Sequence, residues 1–189
     1  MDILTAQHSD RRDLAAVAAA TFPLACPPSA APEDIAAFVA ANLSESNFEA
    51  YLTDPARVVL AAADAGRIVG YAMLIRTSSI RASERGPEFS DTGLYRHSAE
   101  PSEMVELSKM YVLPAYHHTG AAAALISSGI DWASGSGAAR VWLGVNQYNH
   151  KAQRFYRKYG FEVCGTRSFR LGASLENDFV MVRPLDGRN

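Results

Sequence analysis

The sequence predicts a mixed α/β fold, a twisted mixed sheet of about seven strands with helices on both faces. Three observations predict it. The second half of the chain reads strand, helix, strand, helix, strand, strand, after a first half that reads helix, helix, strand, strand. Residues 141–145, Val-Trp-Leu-Gly-Val, are almost wholly apolar, as a strand covered on both faces must be. Residues 58–75 read as a β-hairpin about an Asp64-Ala65-Gly66 turn. The chain has 189 residues, an ordinary size for one domain, so residues 1–189 are read as a single unit.

Each element follows from local pattern. Residues 3–6 suit a short edge strand. Residues 10–22 carry Leu14, Val17, Ala18 and Phe22 at helical spacing. Four prolines between 23 and 32 are expected to break that helix. A second helix should start at Pro32, with Glu33 and Asp34 suiting its positive end and Ile35, Phe38, Val39 and Leu43 as its apolar face. Residues 48–53 suit a separate helical piece. The strands 58–62 and 67–75 form the hairpin. Residues 76–102 are polar and rich in Ser, Glu, Gly and Pro, which predicts a long loop of functional kind. Residues 105–112 form the next strand, with Glu106, Ser108 and Met110 on one face by simple alternation. A helix then runs to about residue 134 and buries Ala122, Leu125, Ile126, Gly129, Ile130 and Ala133. After the strand 141–145, Asn149 can cap a helix whose inner face is Ala152, Phe155, Tyr156 and Tyr159, and Gly160 ends it. Residues 161–169 and 179–183 finish the sheet.

Composition excludes several function classes. Apolar residues make up 48% and charged residues 20%, which suits a globular protein and not a disordered one. The formal net charge is -2, so nucleic acid has no electrostatic claim on the chain. No apolar run reaches the ~18 residues of a membrane span. The first residues lack a signal peptide's basic and apolar regions. Two cysteines, Cys26 and Cys164, argue against a disulfide scaffold and leave the reducing cytoplasm as the expected location. No metal is expected. His117 and His118 are adjacent, a placement that seldom aims two rings at one ion, and the five histidines show no ligand spacing.

The turn after strand 105–112 is the most informative stretch. There a strand ends, His117-His118-Thr119-Gly120 follows, and a helix opens on Ala121-Ala122-Ala123-Ala124. A helix start exposes unpaired N–H groups and partial positive charge, which attract phosphate. Gly120 and the alanines leave room for close approach. The segment is neither a Walker loop nor a dinucleotide fingerprint. By itself it also suits an alanine-rich helix packed tightly on a sheet.

Asn149-x-x-Ala152-x-x-Phe155-Tyr156-x-x-x-Gly160-Phe161, taken with that turn, resembles the GCN5-related N-acetyltransferase (GNAT) superfamily. His117, Gly120 and Ala122 match its Arg/Gln-x-x-Gly-x-Gly/Ala loop, with His in place of Arg or Gln. Glu106-Leu107-x-x-Met110-Tyr111-Val112-Leu113, Trp142-Leu143-Gly144-Val145 and the ending from Gly165 to Val182 are similar to bacterial PaiA-type spermidine/spermine N-acetyltransferases. The resemblance implies acetyl-CoA as co-substrate and direct acetyl transfer to a small primary amine such as a polyamine. It implies strands 105–112 and 141–145 that splay apart. It implies cofactor contacts from Met110, Tyr111 and Val112, from His117, His118, Thr119, Gly120, Ala121 and Ala122, and from Asn149 and Tyr156. Tyr156 is the candidate acid for the departing thiolate and Glu106 the candidate base. Tyr156 also suits plain core packing, Asn149 a bare helix cap, and Glu106 a binder of a cationic substrate.

The remaining features leave choices open. Lys151, Arg154, Arg157 and Lys158 suit a solvated helix face or a field that attracts phosphates. Glu84, Glu88, Asp91, Glu100, Glu103 and Glu106 exceed Arg85 and Arg96 in the long loop, which suits a polyamine. Cys164 reads as a small core residue. The acceptor could instead be an amino acid, a drug amine or a protein N-terminus, or the chain could bind acyl-CoA as a non-catalytic regulator. The expected partners are a small amine and a second copy of the chain, with no nucleic acid and no membrane.

Overall fold

The computed structural model describes residues 1–27, 30–77, 104–171 and 174–185. The elements are β1 (Asp2–Thr5), α1 (Arg11–Ala25), α2 (Pro32–Asn42), α3 (Glu45–Thr53), β2 (Arg57–Asp64), β3 (Arg67–Thr77), β4 (Met104–Val112), α4 (Ala121–Gly135), β5 (Arg140–Asn146), α5 (His150–Lys158), β6 (Glu162–Leu171) and β7 (Ser174–Pro184). They build a seven-stranded sheet in the order β1-β2-β3-β4-β5-β7-β6. β4 and β5 are parallel, with α4 as their crossover, and every other neighbouring pair is antiparallel.

The inner strands β2 and β3 are buried on both faces, which explains their apolar runs. In β2 the side chains alternate between two cores. Val58, Leu60 and Ala62 pack with Leu125, Ile126 and Ile130 of α4. Val59 and Ala61 pack with Leu14, Val17 and Phe22 of α1 and Phe48 of α3. Each fully buried Leu, Ile or Phe contributes about 1.5–3 kcal/mol of transfer free energy. Gly129 of α4 lets the helix lie close to β3, since a Cβ there would stand 3.3 Å from the methyls of Leu74.

Several boundaries differ from the sequence reading, each for a local reason. Pro23 does not end α1, which runs on to Ala25. Proline's fixed φ suits a helix, and its main cost is one lost hydrogen bond near the last turn. Phe22 stacks on Phe38 of α2 at 4.5 Å and holds that turn in place. α3 begins at Glu45, ahead of residue 48, because Ser44 and Asn47 cap each other: Ser44 Oγ accepts from Asn47 N and Asn47 Oδ1 accepts from Ser44 N. β7 begins at Ser174, ahead of residue 179, since β6 and β7 pair as far as Leu171 opposite Ser174. The polar run Glu176-Asn177-Asp178 looks like a loop in sequence, yet strand pairing overrides its propensity. β3 and β4 take the ends of the predicted long loop. The rest of it, with Glu84, Glu88, Asp91, Glu100, Glu103, Arg85 and Arg96, lies outside the described residues. Among the described residues no helix is long and apolar enough to cross a membrane.

Candidate active site

The site originates in a bulge. Met73 of β3 faces Lys109 and Leu74 faces Leu107, so Ser108 is an extra residue in β4. A bulge bends its strand and sharpens the twist. β4 pairs with β5 only through Met104, Val105 and Glu106. Past Glu106 the two strands part, and β5 continues to Asn146 paired with β7 on its other edge. Met110, Tyr111 and Val112 are paired to β3 on one side and present the opposite backbone edge to the gap.

The bulge also corrects the simple alternation. Val105, Leu107 and Val112 belong to the core beneath α4, with Met110 packed against it. Tyr111 packs against the other core. Glu106, lying between Val105 and Leu107, therefore shares its face with Tyr111 and not with Met110. A one-residue slip sends every later side chain to the opposite face.

A cavity of about 480 Å³ opens from the gap toward α1, α2 and α3. Its walls carry Glu106, Tyr111, Asn149 and Tyr156, the outer residues Tyr51, Arg57, Arg76 and Lys109, and the strand residues Arg167, Glu176 and Asp178. The guanidinium of Arg57 and the ammonium of Lys109 lie 4.8 and 5.4 Å from the Tyr51 ring centroid. Arg57 also pairs with Asp54 at 2.7 Å, and its guanidinium holds that carboxyl below its usual range.

Tyr156 sits in α5 with its ring against Phe155 and Phe161, at centroid distances of 5.5 and 5.8 Å. Burial pushes its hydroxyl up to about 12, so it stays protonated at neutral pH. Tyr111 is pushed up further, by burial first and then by Tyr156, Cys26 and Asp178. The Cys26 thiol, on the cavity wall, is raised to about 11 by burial and then by Glu176. Cys164 is the extra residue of a second bulge, in β6, and its thiol donates to Val180 O.

Asn149 is observed as a cap: its Oδ1 accepts from Ala152 N at 3.0 Å. A residue missed in the sequence secures the same turn. Gln153, only 4% exposed, donates through Nε2 to the carbonyls of Asn146 and Gln147 at 3.2 and 2.8 Å. A buried Gln on a helix otherwise lined by aromatic and basic residues is the signal that could have found it. Lys151, Arg154, Arg157 and Lys158 are all exposed.

The turn before α4 is built for close approach. His117 Nε2 lies 3.0 Å from Val112 O, which ties the ring to the end of β4. Thr119 Oγ1 donates to Tyr116 O at 2.8 Å. His118 and Gly120 have φ of 73° and 90°, and Gly120 is the helix cap with no side-chain partner. The first N–H groups of α4 have no acceptor within the helix. Ala121 is fully buried against the sheet. Among the described residues no group of three or more His, Cys, Asp or Glu could hold a metal ion.

The second missed residue is Arg167. Its Nε is 3.3 Å from Asp178 Oδ2 and its Nη1 is 3.9 Å from Glu106 Oε1. Its guanidinium carbon lies 5.7 Å from the Trp142 ring centroid. The sequence pairs none of these residues, because β6, β7, β5 and β4 meet only in the folded sheet.

Comparisons with known proteins agree with this architecture. Residues 22–161 match the model of the acetyltransferase (GNAT) family. A protein of Mycobacterium tuberculosis (strain ATCC 25618 / H37Rv), described as an uncharacterized N-acetyltransferase, is 56% identical over 177 residues, covering 94% of this chain and 99% of that one. The PaiA N-acetyltransferase of Thermoplasma acidophilum, solved in complex with coenzyme A, superposes with a TM-score of 0.73 at 18% identity, over 97% of this chain and 98% of that one. NAA60 of Arabidopsis thaliana, solved with a bisubstrate analogue, gives 0.72 at 18% identity over 99% of both chains. At such identities the structures establish the fold alone. With the family model spanning most of the sheet and the strands parting beside Glu106, the chain belongs to the acetyltransferase (GNAT) family and is an N-acetyltransferase.

Proposed function

We propose that the chain, acting as one unit over residues 1–189, moves an acetyl group from acetyl-CoA directly to a small primary amine. A polyamine such as spermidine or spermine is the acceptor that the sequence resemblance favours. The observation that carries the reading is the parting of β4 from β5 beside Glu106 and Tyr156.

The residues present fit acetyl-CoA, which when bound supplies an acetyl thioester. Met110, Tyr111 and Val112 offer a free strand edge for the pantetheine amides. His118, Gly120, Ala121 and Ala122 offer backbone N–H groups to the diphosphate, His117 and Thr119 flank them with N–H groups that already donate to Pro114 O and Tyr116 O, and residues 121–124 carry nothing larger than a methyl. The His117 ring serves by holding the turn. Asn149 fixes the start of α5 and so the height of Tyr156 in the gap.

Holding amine and thioester together removes an entropic barrier of roughly several kcal/mol. An ammonium has no lone pair, so Glu106 takes a proton from the amine, directly or through water. A backbone N–H of β4 stabilises the charge that develops on the thioester oxygen. The Tyr156 hydroxyl gives a proton to the departing sulfur. Direct transfer is favoured over an acyl-enzyme because the Cys26 thiol, at about 11, is protonated at neutral pH. The cytoplasm is the proposed location, with a second copy of the chain as the other proposed partner.

A specific observation favours a second acceptor class. Arg57, Arg76 and Lys109 stand on the outer cavity wall, which suits an amine that also bears a carboxylate, such as an amino acid or a protein N-terminus. The deciding experiment measures acetyl-CoA-dependent thiol release with spermidine, spermine, amino acids and short peptides. Highest kcat/KM with a polyamine supports the first reading. Preference for a carboxylate-bearing amine supports the second and overturns the first. No turnover with any amine, from folded protein that binds coenzyme A, would leave a regulator.

A further inference from the structure

We infer that Arg167 is a positioning residue for the transfer, holding the Glu106 carboxylate against the cavity wall from a seat that exists only because residue 144 is glycine. The inference deepens the reading of Glu106 as base and rests on it.

Glu106 is 3% exposed and Asp178 is 7% exposed. Two carboxylates removed from water on one wall are stabilised by a cation between them. Arg167 is placed to be that cation. It lies opposite Asp178 in the β6–β7 ladder, and its planar fork reaches both acids. A guanidinium can do this where an ammonium cannot, since its donors diverge in a fixed plane. Trp142, which is the β5 partner of Glu106, supplies the aromatic surface nearby.

The seat lies over Gly144. A Cβ built on that residue would overlap Nε, Cζ and Nη2 of Arg167 together. Gly144 does not have a positive φ, so its backbone has no need of glycine. The need comes from the guanidinium. That obstacle is the far end of a flexible side chain, so a methyl at 144 displaces Arg167 and leaves the strand in place. Displacement takes the guanidinium away from Glu106 Oε1, so the carboxylate loses one of the contacts that set its angle to the amine. A misplacement of about 1 Å at a reacting group can cost on the order of 100-fold in rate.

The test compares Gly144→Ala, Arg167→Ala, Arg167→Lys, Glu106→Gln and the Gly144→Ala/Arg167→Ala pair. Readouts are kcat, KM for both substrates, coenzyme A affinity by calorimetry, and thermal unfolding. We expect Gly144→Ala and Arg167→Ala each to lower kcat about 10- to 100-fold with coenzyme A affinity kept. The pair should be no slower than Arg167→Ala alone, since Gly144→Ala acts through Arg167. Millimolar guanidinium chloride should restore part of the kcat lost in Arg167→Ala, without raising its melting temperature. Multiplying losses in the pair, or full kcat in Gly144→Ala, overturns the inference. Should Arg167→Ala fail to fold, Gly144→Ala and Arg167→Lys decide by the same kcat criterion. If Glu106→Gln keeps full kcat, the base reading falls and takes this inference with it. If Glu106→Gln is slow while Gly144→Ala and Arg167→Ala are not, only this inference falls.

Discussion

Replacing Tyr156 by Phe removes one hydroxyl and leaves the ring. The ring contacts with Phe155 and Phe161 survive, and among the described residues no hydrogen bond to the hydroxyl is lost. The stability change should therefore stay within about 1 kcal/mol, which for a chain of this size moves the melting temperature by roughly 2–4 °C. The rate change is of another order. With its hydroxyl at about 12, the side chain is a protonated donor at every pH where the enzyme would be assayed. General acid catalysis is worth about 100- to 10,000-fold, or roughly 3–5 kcal/mol of barrier. The assay is thiol release at saturating acetyl-CoA, beside calorimetry with coenzyme A. We expect kcat to fall by at least about ten-fold, equal to ~1.4 kcal/mol, with coenzyme A affinity held. A Tyr156→Phe enzyme with unchanged kcat would show that the residue only packs, and the acid would have to be sought elsewhere.

Other predictions follow from the same contacts. In Gly70→Ala the new Cβ would stand 2.8 Å from Tyr111 O and 2.9 Å from a Val112 methyl. β4 must shift, so coenzyme A affinity should fall together with about 1–3 kcal/mol of stability, read by calorimetry and urea unfolding. Leu125 is wholly buried beneath the sheet, and Leu125→Ala should cost about 2–5 kcal/mol in urea unfolding. Tyr156 titrates higher folded than unfolded, where it lies near 10. Its contribution to stability is complete below pH 10 and is lost as pH rises through about 12. Alkaline unfolding should accordingly be less steep in Tyr156→Phe, as measured by melting temperature across that range.

Much of this was legible in the sequence because periodicity reports burial. The two-sided strands show as apolar runs at residues 58–62 and 141–145, and the faces of α4 and α5 show as steps of three and four. The helix start at Gly120 could be read because one glycine before four alanines is a local signal. What escaped was non-local. The bulge at Ser108 changes which residues share a face with Glu106, and nothing in Leu107-Ser108-Lys109 announces it. Arg167 reaches Glu106 across two intervening strands, β5 and β7, and over a glycine whose backbone is ordinary, so only the folded sheet reveals the pairing. The break expected among the four prolines falls after Ala25, two residues beyond Pro23, where Phe22 stacks on Phe38.

The most direct test of the whole account is calorimetric titration of the folded protein with desulfo-coenzyme A, in parallel with a Gly120→Val variant. The account predicts one-to-one binding by the parent. It predicts strong loss in Gly120→Val, where φ of 90° disfavours a β-branched residue and the diphosphate seat is disturbed. Absence of heat with the parent, or equal binding by the variant, would contradict it.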